Sequence, residues 1–212
     1  MNSQNPIVFI VDDDSRICVA LSDLLATFEL RAIAFGTAAE YIAYPKPNVP
    51  SCVLLDVELP DISGLELQSR AVNQDHPPII FITGHGNIPD SVRAMKTGAV
   101  DFLTKPLNQD ELMRAVHLAL AQDLAIKQKK RDMVELRQRH SRLTPREREA
   151  LPLVVSGLLN KQAAAELGIS EITMQIHRGK IMHKMHAGSL ADLVRMAATL
   201  EIPVTHSRYR QR

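Results

Sequence analysis

The sequence predicts a doubly wound α/β domain built on a five-stranded parallel sheet, followed by a long linker helix and an all-α domain of four helices. Three observations carry this. Short runs rich in Val, Ile and Leu recur five times in the first half and alternate with stretches of helical spacing, the pattern of a parallel sheet with crossover helices. The second half is helical throughout, with capping residues and glycines marking where helices start and stop. Charge divides the chain at the same place: residues 1–121 hold 8 Lys and Arg against 15 Asp and Glu, whereas residues 122–212 hold 17 against 9. A formal net charge of +1 thus hides an acidic half and a basic half.

The strands are read at Ile7 to Val11, Leu30 to Phe35, Cys52 to Val57, Pro78 to Thr83 and Val100 to Thr104, each as a buried strand. Helical spacing shows in Ile17, Leu21, Leu24, Leu25 and Phe28, then in Leu65 to Val72, Val92 to Met95 and Leu112 to Leu120, and five helices are expected to accompany five strands. These elements place the first domain at residues 6–121. From Asn108 no Gly or Pro interrupts the chain until Pro145, and Ile126 to His140 is dense in Lys, Arg and Gln. Residues 122–140 therefore read as a solvated linker helix.

In the last domain, residues 141–204, Thr144 caps a helix that begins at Pro145, and Glu147 completes a Thr-x-x-Glu capping box. Gly157 stops that helix, Asn160 is placed to cap the second, Leu167-Gly168-Ile169-Ser170 turns into a third, and Ser189 begins a fourth. Pro152 falls inside the first of these helices, where it cannot bond the Arg148 carbonyl and is expected to bend the helix. A short helix, a Gly-bearing turn and a longer helix carrying Gln, Arg, Lys and His make a helix-turn-helix pattern. A basic tail, residues 205–212, ends in Arg208, Arg210 and Arg212.

At 212 residues, each of two domains is large enough to bury its own core. Cys18 and Cys52 sit in apolar stretches without metal-ligand spacing and read as buried thiols in a reducing compartment. No signal peptide is recognised, and no apolar run approaches the roughly 20 residues that cross a bilayer. A cytoplasmic protein with no membrane partner is expected, and its basic half points to double-stranded DNA.

The polar residues of the first domain fall where predicted strands end. Asp12, Asp13 and Asp14 follow the first strand, Asp56 closes the third, Thr83 closes the fourth, and Lys105-Pro106 follows the fifth. In a parallel sheet these ends meet on one rim. Aspartates gathered there repel one another unless a cation sits among them, and Mg²⁺ suits carboxylate, carbonyl and water oxygens. Asp56, alone at its strand end, is the natural nucleophile toward phosphorus. Asp12 and Asp13 are then placed to hold the metal, Lys105 to pair with phosphoryl oxygens, and the Thr83 hydroxyl to bond them. An isolated Asp-Asp-Asp run is ordinarily a helix-start feature, so it is the order and convergence of these residues that favours a site. An aspartate-based phosphohydrolase shares this chemistry, but Glu58 stands where such enzymes carry their second aspartate, and no enzyme is expected.

Val11-Asp12-Asp13-Asp14, Leu55-Asp56 with Pro60 and Gly64 following, Ile82-Thr83-Gly84-His85-Gly86, and the stretch from Ala94-Met95-Lys96 through Asp101-Phe102 to Lys105-Pro106 resemble a receiver domain, a flavodoxin-like fold, of the FixJ branch in particular. The resemblance implies phosphorylation of Asp56 by a sensor histidine kinase. It also implies Mg²⁺ on Asp13, Asp56 and the main-chain carbonyl of Glu58, and a cis Lys105-Pro106 peptide. Thr83 and Phe102 are the implied switch pair, moving on phosphorylation and altering the outer face of the fourth helix and fifth strand. Asp61 stands where many receivers carry Gly and puts the turn type of that loop in question.

Leu143-Thr144-Pro145-Arg146-Glu147-Arg148-Glu149, Gly157-Leu158-x-Asn160-Lys161, Ala165-x-Leu167-Gly168-Ile169-Ser170 and Thr173-Met174-Gln175-Ile176-His177-Arg178 resemble the LuxR-type helix-turn-helix. The resemblance implies that the third helix of this domain enters the major groove, within a dimer. Met174, His177, Ile181 and Met185 recur at helical spacing and should pack inward, leaving Gln175, Ile176, Gly179 and His183 outward. Gln175 suits adenine and Ile176 a thymine methyl. Lys161, Arg178, Lys180 and Lys184 are candidate phosphate contacts, and Thr173 and Gly179 complete the DNA-facing set. His177 is expected to be packed and hydrogen-bonded. The whole chain resembles a FixJ/NarL-type regulator in which phosphorylation controls dimerisation and DNA binding, with RNA polymerase as a further candidate partner. Gln175, Gly179, Gly188 and Pro152 depart from the family pattern and support the alternative of a signalling or dimerisation protein with weakened DNA binding.

Overall fold

The computed structural model describes residues 5–71, 76–84 and 88–203. Val72, His85, Gly86 and the tail arginines Arg208, Arg210 and Arg212 lie outside the described residues. The chain forms two compact units, residues 1–128 and residues 129–212.

In the first unit, strands β1 (Ile7–Val11), β2 (Arg31–Phe35), β3 (Ser51–Asp56), β4 (Ile79–Thr83) and β5 (Asp101–Thr104) form one sheet in the order β2-β1-β3-β4-β5, and every pairing is parallel. β1, β3 and β4 are buried at every residue, because helices cover both faces. β2 and β5 are edge strands, half-exposed rather than buried as the sequence suggests. Helix α1 (Ser15–Thr27) and the first turns of α5 (Gln109–Ser141) pack on one face through Leu21, Leu25, Leu112 and Val116. Helices α2 (Ala38–Ala43), α3 (Gly64–Ala71) and α4 (Ile88–Lys96) pack on the other through Tyr41, Leu65 and Ala94. Both cysteines are free and buried.

The first unit extends past residue 121 for a reason the sequence does not announce. Asp123, on α5, is 4% exposed; one carboxylate oxygen accepts the Ser51 backbone N–H at 2.7 Å and pairs with Lys127. A carboxylate this buried needs such partners, and they bind α5 to the start of β3 up to Lys127. The stretch read as linker is therefore shared: its start belongs to the first unit, and Leu136 packs into the core of the second.

The second unit holds the end of α5 and helices α6 (Pro145–Val155), α7 (Asn160–Leu167), α8 (Glu171–Met185) and α9 (Leu190–Thr199) around Leu143, Leu151, Met174, Ile181 and Leu193. Thr144 and Glu147 form the expected capping box. α6 continues through Pro152 to Val155. α7 starts one residue earlier than the Asn160 cap requires: Leu159 is the cap residue, and its N–H donates to the Gln162 side chain at 2.9 Å. Gly168 ends α7 at φ 65, a left-handed conformation that glycine adopts at little cost. Ser170 caps α8 through the Thr173 N–H, and Ser189 caps α9 through the Asp192 N–H.

Candidate functional site

The strand ends of the first unit build an acidic cleft of about 420 Å³ lined by Asp12, Asp13, Asp56, Glu58 and Lys105, among others. Ligand oxygens of Asp12, Asp13 and Asp56 lie within 4.8 Å of one another. Lys105 Nζ donates to Asp12 Oδ2 and to Asp56 Oδ2, both at 2.7 Å. Burial pushes the Asp12 carboxyl up, against the lowering effect of Lys105 and the Asp14 N–H, and Asp56 adds repulsion. Burial alone would lower Lys105, but its two carboxylate partners raise it, so it stays a cation. The backbone holds the Asp56 carboxylate in place as well: Glu58 N–H donates to Asp56 Oδ1 at 3.0 Å.

The third member of the Asp run has a structural role. Asp14 caps α1 through the Arg16 N–H and pairs with the Arg16 guanidinium at 2.8 Å, which holds its carboxyl at about 2. Gly64 permits the close approach of the chain after β3, because a Cβ there would lie 2.3 Å from the Asp56 carbonyl oxygen. Asp61 needs no glycine-like backbone, since it is not among the residues with positive φ. Its carboxylate accepts the Ala39 and Ala38 N–H groups at 2.8 and 3.2 Å, tying this loop to the start of α2. Desolvation would raise this carboxyl, but the N–H groups outweigh it and hold it low.

Thr83 is buried at the end of β4, and its carbonyl accepts the Lys105 N–H at 2.7 Å. Gly84 lines the cleft. Phe102 stands half-buried on β5 with its ring centroid 5.9 Å from that of Phe81, and the Lys105-Pro106 peptide is cis. Outside the cleft, Gln68 was missed by sequence reasoning; it is 4% exposed and its amide donates to the Ala94 carbonyl at 3.1 Å, joining α3 to α4.

In the second unit the faces of α8 are as the spacing requires. Met174, Ile181 and Met185 are buried, while Gln175, Ile176, Gly179, Lys180 and His183 are exposed, as is Lys161 on α7. His177 is half-buried, but its buried Nδ1 has no hydrogen-bond partner among the described residues, so it is packed and not satisfied. Arg178 donates to Asn160 Oδ1 at 3.1 Å and to the Leu158 carbonyl at 3.4 Å, which fixes α8 to the start of α7. Thr173 is half-buried beside Ser170.

Lys184 makes an ion pair that the sequence does not announce. Its ammonium lies 2.6 Å from Glu147 Oε2, and Glu147 is 2% exposed. Releasing the lysine to a DNA phosphate would leave the buried Glu147 carboxylate without its cation, so this ion pair opposes the phosphate contact expected of Lys184.

Residues 8–117 match the response regulator receiver domain family. Residues 141–197 match the luxR family of bacterial regulatory proteins. Nodulation protein W of Bradyrhizobium diazoefficiens is 47% identical over 210 residues, which cover 99% of this chain and 92% of that protein. Transcriptional regulatory protein FixJ of Rhizobium meliloti is 40% identical over 192 residues, 90% of this chain and 94% of that protein. The solved structure of the response regulator StyR aligns with a TM-score of 0.82 at 39% identity, covering 92% of this chain and 98% of that one. With the acidic cleft on one unit and an exposed helix-turn-helix on the other, the chain belongs to the transcriptional response regulators that join a receiver domain to a LuxR-type DNA-binding domain.

Proposed function

We propose that Asp56 is the phosphoacceptor, that a sensor histidine kinase supplies the phosphoryl group, and that phosphorylation controls dimerisation and binding to double-stranded DNA in the cytoplasm. The carrying observation is Lys105 Nζ at 2.7 Å from both Asp12 and Asp56: the cation is already placed beside the nucleophile. The chain acts as a regulated acceptor and not as a turnover enzyme.

The donor set fits Mg²⁺: three carboxylates within 4.8 Å in an open cleft, all hard oxygen ligands. Asp12, Asp13, Asp56 and the Glu58 carbonyl would hold it, and it would supply positive charge to the phosphoryl oxygens. An Asp56 carboxylate oxygen attacks phosphorus in line as the P–N bond to the kinase's phosphohistidine breaks and its imidazole leaves, while Lys105 neutralises the charge of the incoming phosphoryl oxygens. Thr83 and Phe102 form the switch, Thr83 at the cleft end of β4 and Phe102 beside α4. Asp12, Asp13 and Asp56 are buried, exposed and buried in turn, so the ion is reached from the Asp13 side.

The dimer surface is assigned to α4 and β5. Ile88, Val92 and Met95 on α4 are 79%, 45% and 47% exposed, an apolar stripe at helical spacing that a second copy would cover. Light scattering at micromolar concentrations, with and without a small phosphodonor and Mg²⁺, should show the mass rise toward twice that of one chain. An unchanged mass on a protein carrying the phosphoryl group would contradict this assignment. In the second unit Gln175 and Ile176 face the bases and Lys161 and Lys180 the phosphates, with Thr173, Arg178 and Gly179 shaping the same surface. RNA polymerase is the expected partner downstream.

A further inference from the structure

The first half of α8 exposes two isoleucines and no charge between Ile172 and Gly179, where a nucleic-acid surface is expected to be cationic. From Ile172 to Gly179 its exposed residues are Ile172, Gln175, Ile176 and Gly179, none of them charged. Ile172 is 71% exposed and Ile176 51% exposed. Residues four apart stand on one helix face, so two branched apolar side chains project side by side into solvent. β-branched side chains hold few χ1 rotamers, so ordering them against a surface costs little. Gly179, one turn on, has nothing within 4 Å of where a Cβ would sit, which leaves the helix backbone open to close approach. Lys180, four residues after Ile176 on the same helix face, is an exposed cation at the end of the stripe, and Lys161 on α7 is exposed as well. An occupant must therefore be anionic at its edges and locally apolar at its centre. Duplex DNA meets this in the major groove, where the thymine C5-methyl is the apolar feature of the base edges.

We propose that Ile172 is a specificity-determining residue, and that Ile172 and Ile176 together read two thymine methyl groups. The inference rests on the reading of α8 as the DNA-facing helix. Along the helix axis the two residues are separated by about 6 Å, close to two base steps of about 3.4 Å, so the two thymines should lie within about two steps of each other.

The test uses the full chain, phosphorylated with a small phosphodonor, on a site selected from random duplex DNA. Each thymine of the site is then replaced in turn by deoxyuridine, which removes the methyl and leaves base pairing intact. Wild-type protein should bind about fourfold more weakly for each of two such replacements, the effect of losing one buried methyl-sized group. Ile172→Ala should lose sensitivity to one replacement and Ile176→Ala to the other. Both uracil penalties persisting at full size in Ile172→Ala, or the absence of any penalty from wild type, would overturn the inference while leaving DNA binding intact. If the phosphorylated chain selects no site at all, the DNA reading fails and the inference with it; if α8 instead captures protein, binding to duplex DNA will be indifferent to both substitutions, which also overturns it.

Discussion

Asp56→Asn is expected to abolish phosphoryl uptake from a small phosphodonor. The substitution keeps size and shape but removes the charged oxygen nucleophile that faces Lys105 at 2.7 Å. Asp12 is no substitute, because its side chain has no exposed surface for an incoming phosphodonor, whereas that of Asp56 is 9% exposed. Asp13 is exposed and is assigned to the metal. Intact mass measurement after incubation with donor and Mg²⁺ reads the outcome directly: wild type should carry one phosphoryl adduct and the variant none. An adduct on Asp56→Asn to the wild-type extent would move the acceptor elsewhere in the cleft.

Lys184→Met should destabilise the DNA-binding unit without changing the salt dependence of DNA binding. The pair joins the C-terminal half of α8 to the capping box of α6, where Glu147 also accepts the Thr144 N–H at 2.8 Å. Stripping the lysine leaves a buried carboxylate with one partner fewer. Because the lysine side chain is 30% exposed, solvent offsets part of the loss, and about 1 to 3 kcal/mol is expected. In a unit of this size each kcal/mol lowers the melting midpoint by about 4–8 °C. Adding Glu147→Gln to Lys184→Met should recover part of the loss, since it removes the unpaired charge. Desolvation would raise Glu147, but Lys184 and the Thr144 N–H outweigh it and hold the carboxyl below its ordinary 4.5. A depressed acid stabilises the fold above its unfolded pKa, so this contribution is present above about pH 4.5 and is lost as pH falls through the folded value. A Lys184→Met protein with an unchanged midpoint and a shallower salt slope would place Lys184 among the phosphate contacts.

The central strands were readable because a parallel strand covered on both faces is a near-continuous apolar run, as in Ile7 to Val11 and Ile79 to Ile82. β2 misleads for the converse reason: Arg31-Ala-Ile-Ala-Phe is apolar enough for a core strand but lies at an edge. α2 spans six residues, too few for helical spacing to show. The cleft was readable from strand ends alone, because topology brings Asp12, Asp56 and Lys105 together whatever the loops do. Pairings between distant residues were not. Glu147 with Lys184 and Ser51 with Asp123 are set by tertiary packing. Asp123 did leave a trace: it occupies the next position of the buried stripe Leu112, Val116 and Ala119, where a charge signals a partner.

The most direct test of the account compares the affinity of the full chain for one selected duplex site before and after phosphorylation, at fixed salt, with Asp56→Asn beside it. Coupling of the size usual between two sites predicts a tightening of about 5- to 150-fold on phosphorylation, absent from Asp56→Asn. Equal affinities for a protein shown by mass to be fully phosphorylated would contradict control of DNA binding by Asp56.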